Sequence, residues 1–269
     1  MKKIKFASII LLLISVVIFG GYKVYEFQTR DTEPPKITAE SDAITASVTI
    51  TEEELLAGVT AMDNKSGNVS DSLVVEDISA FVDTNTCEIT YAAIDEKGNV
   101  GRLTRKVVYT DYEEPKFTLA DDLRIPRGGK LDFSDIVGAQ SGLDGDMSDY
   151  VKYTMGDHID TTTTGTYLIE FRVTDSLGCT AYLPVEVEIY DVFPERINVK
   201  LTEYILYLAQ GAEFHAEDYY VGSDIDGELS IQSQVDASKA GIYYVDYVVE
   251  GNNSIGKSRL IVVVRETNE

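Results

Sequence analysis

The sequence predicts an all-β protein of three small tandem β-sandwiches preceded by one N-terminal helix. Three observations carry this expectation. Landmark residues recur every eighty positions from Asp31 onward. Each copy contains a stretch in which apolar and polar residues alternate, the period of a half-buried strand. One apolar run, placed behind three lysines, opens the chain.

The helix comes first. Lys2, Lys3 and Lys5 precede an apolar run from Phe6 to Phe19, interrupted only by Ser8 and Ser15. This is the order of a signal sequence, a basic region followed by an apolar one. A membrane span needs about 17–25 residues. The run reaches that length when counted to Tyr25, with Lys23 extending its ammonium to the headgroups. Tyr22 and Tyr25 suit the same interface. Cleavage requires small residues at the first and third positions before the cut. A cut after Gly20 places Ile18 at the third position, and a cut after Gly21 places Phe19 there. Both are bulky, so the segment is expected to stay as an uncleaved signal anchor. The lysines should remain in the cytoplasm, which puts everything from about Gln28 outside.

The repeat follows. Asp31, Asp111 and Asp191 each begin a short acidic connector containing proline, for example Asp111-Tyr112-Glu113-Glu114-Pro115. Asp95 and Asp175, and Gly98 and Gly178, keep the same spacing. Each copy has a central turn cluster: Asp63 to Asn68, Ser141 to Asp146, and Asp224 to Glu228. Glycine and asparagine there supply positive φ, and aspartate caps its own backbone. A Val/Ile-Asp pair comes next, at Val82-Asp83, Ile159-Asp160 and Val235-Asp236.

The clearest strand comes after that pair. In the second copy Tyr167, Ile169, Phe171 and Val173 share one face. Their counterparts are Tyr243, Val245, Tyr247 and Val249 in the third copy and Cys87, Ile89, Tyr91 and Ala93 in the first. A hairpin turn and a closing strand complete each copy, as in Leu183, Val185, Val187 and Ile189 alternating with Pro184, Glu186 and Glu188. Pro184 lacks an amide hydrogen and is expected on an edge. Six or seven short strands per copy, with frequent turns, make a sandwich signature. The only helix-like stretch, Glu52 to Leu56, is expected to form a single turn, with similar stretches at Phe133 to Ile136 and Phe214 to Asp218.

At these residues the chain resembles the bacterial immunoglobulin-like repeats of Gram-positive surface proteins, and related modules of pesticidal crystal proteins. The resemblance rests on the Pro-rich lead-in Pro34-Pro35-Lys36-Ile37-Thr38, on Val82-Asp83-Thr84, on Gly165-Thr166-Tyr167, and above all on Tyr91-Ala92-Ala93-Ile94-Asp95-Glu96-Lys97-Gly98-Asn99. It covers about residues 32–265 and implies three immunoglobulin-like β-sandwiches. Cys87 departs from the tyrosine of the other copies, and the third copy lacks the Asp-x-x-Gly-Asn turn. The expected organisation is a cytoplasmic tip and signal-anchor helix over 1–30, then repeats over 31–111, 112–191 and 192–269. Such modules serve as spacers, stalks and adhesive units, so the resemblance speaks to fold more than to function.

Charge narrows the partners. The net charge is -23, yet the first thirty residues are basic, which leaves 18 basic and 45 acidic residues in the remainder. A body this acidic repels phosphate backbones, so nucleic acid is not expected as a partner. The two cysteines, Cys87 and Cys179, fall at non-equivalent places in different copies and are not expected to pair. His158 and His215 are the only imidazoles, in no metal-binding spacing, and no nucleophile elbow is present. An enzyme is therefore not expected.

Two binding chemistries remain. Asp144 and Asp146, and Asp224, Asp226 and Glu228, gather carboxylates in loops and are the candidate ligands of a weak calcium site. They do not follow the EF-hand pattern, because Gly227 directly follows Asp226, and capping of turns is the simpler account of such acids. Tyr219, Tyr220 and Tyr244 are the candidate contacts for a protein or polysaccharide ligand, while Tyr91, Tyr167 and Tyr243 are expected in the core. No other cofactor is expected. The sequence thus points to a membrane-anchored stalk or adhesive ectodomain that binds the membrane through its helix. The alternative is an accessory envelope subunit that binds another surface protein.

Overall fold

A computed structural model describes residues 2–155, 159–193, 195, 197–251 and 253–266. His158 lies outside the described residues. The chain is mostly β, with one long N-terminal helix, α1 (Lys2–Thr29). Its window Ile10–Phe27 is long and apolar enough to cross a membrane, and none of it is covered by the rest of the protein. Leu11 and Phe27 are 73% and 82% exposed. The chain divides into two compact units, Met1–Thr110 (which includes α1) and Asp111–Glu269.

The first unit holds β1 (Lys36–Ala39), β2 (Ala43–Ala46), α2 (Glu52–Leu56), β3 (Val59–Asp63), β4 (Gly67–Asn68), β5 (Val74–Ile78), β6 (Thr86–Ile94) and β7 (Val100–Tyr109). They form two sheets, β1-β3-β4 and β2-β7-β6-β5. All pairs are antiparallel except β2 with β7, which run parallel. The alternation read from the sequence is the burial pattern. Cys87, Ile89, Tyr91 and Ala93 of β6 are buried, as are Ile37, Val59 and Ala61 of the smaller sheet.

The expected turn at Glu52 is α2. Thr51 accepts the Glu54 amide hydrogen at 3.3 Å, and the Glu54 carboxylate accepts that of Thr51 at 2.9 Å. This reciprocal cap satisfies two amides that a one-turn helix would leave free. Gly101 is required by close approach, since a Cβ there would lie 1.9 Å from the Pro35 carbonyl oxygen. The proline lead-in therefore lies directly on β7.

The second unit contains β8 (Lys116–Leu119), β9 (Arg124–Pro126), β10 (Val137–Ser141), β11 (Gly145–Asp146), β12 (Lys152–Met155), β13 (Gly165–Thr174) and β14 (Thr180–Tyr190). These are followed by β15 (Val199–Leu201), β16 (Ile205–Ala209), β17 (Tyr220–Ser223), β18 (Glu228–Ser233), β19 (Gly241–Gly251) and β20 (Ser254–Arg265). The sheets are β11-β10-β8 over β12-β13-β14-β9, and β15-β17 over β16-β20-β19-β18. In both copies the second strand runs parallel to the last, β9 with β14 and β16 with β20, as β2 does with β7. One immunoglobulin-like pattern is therefore repeated three times.

Two details differ from the sequence reading. The counterparts of α2 are slighter: a hydrogen-bonded turn at Phe133–Ile136 and a 3-10 turn at Ala216–Tyr219. Pro184 lies in β14, which is an inner strand, but its register partner is Glu170 of β13 and β9 pairs only from Glu188 onward. The strand is thus open on its other side at Pro184, which spares a ladder bond that proline could not donate.

The two sandwiches of this unit share a junction. Ile205 and Ile261 of the third copy belong to the core of the second, with Tyr207 and Tyr244 packed beside them. The Tyr207 hydroxyl accepts the Phe117 amide hydrogen at 2.8 Å, and the Tyr244 hydroxyl accepts that of Glu186 at 2.9 Å.

Candidate functional site

Three aspartates converge at one end of the first sandwich. Asp31 precedes the proline lead-in, Asp63 ends β3, and Asp95 follows β6. They stand 32 residues apart in sequence, and one oxygen from each lies within 4.8 Å of the others. All three are buried, at 6%, 7% and 6% exposure.

Local turns account for part of this arrangement. One Asp63 oxygen accepts the amides of Lys65 at 2.9 Å and Ser66 at 2.6 Å, and those bonds hold its carboxyl below the usual carboxylate range. At Asp95 burial acts upward most strongly. The Asn99 side chain and the amides of Asn99, Lys97 and Gly98 together outweigh it, so this carboxyl too lies below its ordinary value. Asp31 accepts the Glu33 amide hydrogen at 3.3 Å. The turn bonds leave two oxygens over. The second oxygens of Asp31 and Asp63 are buried and meet no hydrogen-bond donor. Lys65 is the nearby cation, with its ammonium 4.0 Å from the other Asp31 oxygen and its side chain 46% exposed.

The second sandwich builds the same corner with a single buried carboxylate. Ser141 stands where Asp63 does, and its hydroxyl accepts the Leu143 and Asp144 amides at 3.1 and 3.4 Å. Asp175 matches Asp95 and accepts the Cys179 amide hydrogen at 2.8 Å. Asp111, the counterpart of Asp31, is exposed. The space between them is taken by Tyr112, whose hydroxyl donates to Asp175. Burial, then that bond, pushes the Tyr112 hydroxyl well above the ordinary tyrosine range, so it stays a neutral donor. In the third sandwich Ser223 ends β17, and Asp191 pairs with Arg127 at 3.1 Å.

The residues singled out from the sequence lie elsewhere. Asp144 accepts the Ser176 amide hydrogen at 2.8 Å, Asp146 accepts the Ser148 amide and hydroxyl, and Asp224 accepts the Asn198 amide hydrogen at 2.7 Å. Asp226 and Glu228 are exposed. Tyr219 stacks on Phe214 with ring centroids 5.7 Å apart, and Tyr220 stacks toward Tyr247 at 6.5 Å. Tyr244 carries Arg259 over its ring at 4.9 Å and sits in the junction of the second and third sandwiches. The three aspartates at 31, 63 and 95 were visible in the sequence only as landmarks of the repeat. Their convergence depends on strand pairing across two sheets, which no local pattern encodes.

Arg124 is the centre of that junction. Its side chain is 4% exposed. It donates to Glu188 at 3.1 Å, to Glu195 at 2.7 and 2.9 Å, and to the Lys257 carbonyl at 2.7 Å, with Tyr190 stacked on it at 4.4 Å. Lys257 reaches Glu188 at 2.9 Å and Asp246 at 3.2 Å, and Arg259 forks onto Asp246. A separate open groove of about 650 Å³ between the same two sandwiches is lined by Lys116 to Leu119, Gln140 to Gly142 and Thr202 to Tyr207.

Comparison with known proteins gives no assignment. No protein-family model matches the chain, and no curated protein is significantly similar to it. Among solved structures, the chain is similar to a Clostridium perfringens ZmpB structure comprising its M60 catalytic domain with two CBM51 domains. The identity is 12%, over 88% of this chain and 31% of that one, with a TM-score of 0.21. It is similar to human CDH23 EC21-23 at 14% identity, over 86% and 100% of the two chains, with a TM-score of 0.22. It is similar to Drosophila N-cadherin EC1-4 at 16% identity, over 78% and 63%, with a TM-score of 0.23. The chain spans less than a third of the ZmpB structure's length and under two thirds of the Drosophila one. Superpositions this loose carry no argument about the present chain, whose fold rests on its own sheets.

Proposed function

We propose that the chain is a membrane-anchored cell-surface protein whose immunoglobulin-like repeats form a non-catalytic stalk presenting an adhesive or ligand-binding ectodomain. The observation that carries this reading is α1. Its apolar residues find no cover in the protein, and so large an exposed apolar surface needs a lipid environment. The cluster of lysines before it favours the orientation with the sandwiches outside. Strand-rich modules with acidic faces suit that location, where they stay soluble and resist collapse onto anionic surfaces. Protease treatment of intact cells carrying a C-terminally tagged chain tests the orientation. Loss of the tag is expected, and a tag protected until the cells are lysed would overturn the reading.

One observation favours the accessory-subunit alternative. All four residues of β12 are exposed, and β12 is the end strand of its sheet. Such an edge can accept a strand from another protein. A photo-crosslinker at Thr154 would trap a single defined envelope protein under this alternative and no defined partner under the stalk reading.

A further inference from the structure

We propose that Asp31, Asp63 and Asp95 form a binding site for a divalent cation of calcium type in the first sandwich, separate from the acidic loops and from any adhesive surface. The first ground is charge. Three carboxylates share one buried corner, and the nearby ammonium, that of Lys65, lies 4.0 Å from a single oxygen on a side chain that is 46% exposed. Like charges this close, screened from water, repel strongly unless a cation sits among them.

The second ground is independent of the charge count. The buried second oxygens of Asp31 and Asp63 have no donor, although every other need of these turns is met by amides. A buried carboxylate oxygen without a partner is costly, and such orphans call for a specific occupant. The donors are all hard oxygens, which select calcium or magnesium over softer metals. Oxygens bound at about 2.4 Å from one calcium ion lie up to about 4.8 Å apart, and one oxygen from each aspartate falls within that limit.

The third ground is the internal control within the chain. The second sandwich keeps the fold of this corner but has serine for Asp63, an exposed Asp111, and a tyrosine hydroxyl donating to Asp175. There the lone buried carboxylate is satisfied by a neutral donor from the protein itself. Where all three carboxylates remain, position 32 is threonine and no such hydroxyl from a tyrosine is available. The two corners are alternative solutions to one problem, a cation in the first and a phenol in the second.

The test is calorimetric titration of the full chain in detergent micelles, freed of metal by chelator, with calcium chloride alone. Saturable binding and a higher Tm of the first unit are expected. D63S should weaken binding at least tenfold while keeping the fold, because Ser141 shows that serine caps this turn. D31N retains the acceptor for the Glu33 amide and decides the matter if D63S does not fold. A D144N/D146N chain should bind like the original. Absence of saturable binding at millimolar calcium, or equal binding by the original and by folded D63S or D31N chains, would overturn the proposal.

Discussion

The hydroxyl of Tyr91 donates a 2.9 Å hydrogen bond to the carbonyl oxygen of Leu55, tying the core of the larger sheet to the last turn of α2. Tyr247 makes the same bond to Ala216 at 2.7 Å in the third sandwich. At the matching position the second sandwich has Phe171, packed edge-on against Phe133 at 5.2 Å. Y91F leaves the buried Leu55 carbonyl without its partner and is expected to cost about 1–2 kcal/mol. Y247F should do the same to its own unit. Thermal unfolding of each variant checks this, with the other unit's transition unmoved.

Arg105 offers a prediction of opposite sign. It faces the core opposite Ile89 in register, 6% exposed, and its Nε and Nη1 have no acceptor. The same register position holds Val185 in the second sandwich and Leu260 in the third, both fully buried. A buried guanidinium without matched acceptors is a net cost, and an apolar chain of similar length removes it. R105M is expected to stabilise the first unit by about 1–3 kcal/mol. A lower Tm for this variant would show that the guanidinium is compensated.

The junction of the second and third sandwiches depends on Arg124. R124M strands Glu195 against an apolar neighbour and leaves the partly covered Glu188 to Lys257 alone. Removing one partner of such a network costs about 3 kcal/mol. Calorimetry should show a lower transition for residues 111–269 alone, and hydrogen exchange should show faster opening of β9 and β20.

Asp122, two residues before Arg124, sets a pH dependence. Burial pushes its carboxyl up to about 7, with Arg124 opposing and Asp121 adding to the rise. The folded state therefore holds a proton that the unfolded chain releases near its ordinary value of 3.8. Stability from this group is greatest at low pH and falls as pH rises from about 4 through 7. D122N should flatten that slope and, given partial exposure, raise stability at pH 8 by about 1–2 kcal/mol.

The sequence made the framework readable because burial on one face of a strand writes itself as period two. Tyr91, Phe171 and Tyr247 declared the inner face of three strands without reference to any partner. The eighty-residue spacing of Asp95 and Asp175 marked equivalent turns. What remained hidden depends on three dimensions. Asp31, Asp63 and Asp95 look like three ordinary turn caps until β1, β3 and β6 bring them together. Tyr244 alternates outward, as expected for a contact residue, but the outward face of β19 at that point meets β14 of the preceding sandwich. Arg124 appears as one more charge in an acidic chain, because its acceptors come from 64, 71 and 133 residues away.

The proposed role of α1 is to hold the all-β body at a membrane, and alkaline carbonate extraction tests it most directly. The full chain should remain in the washed membrane pellet, while a chain lacking residues 2–29 should appear in the supernatant with a strand-rich circular dichroism spectrum. Release of the full chain by carbonate, or sedimentation of the shortened chain with the membranes, would contradict the account.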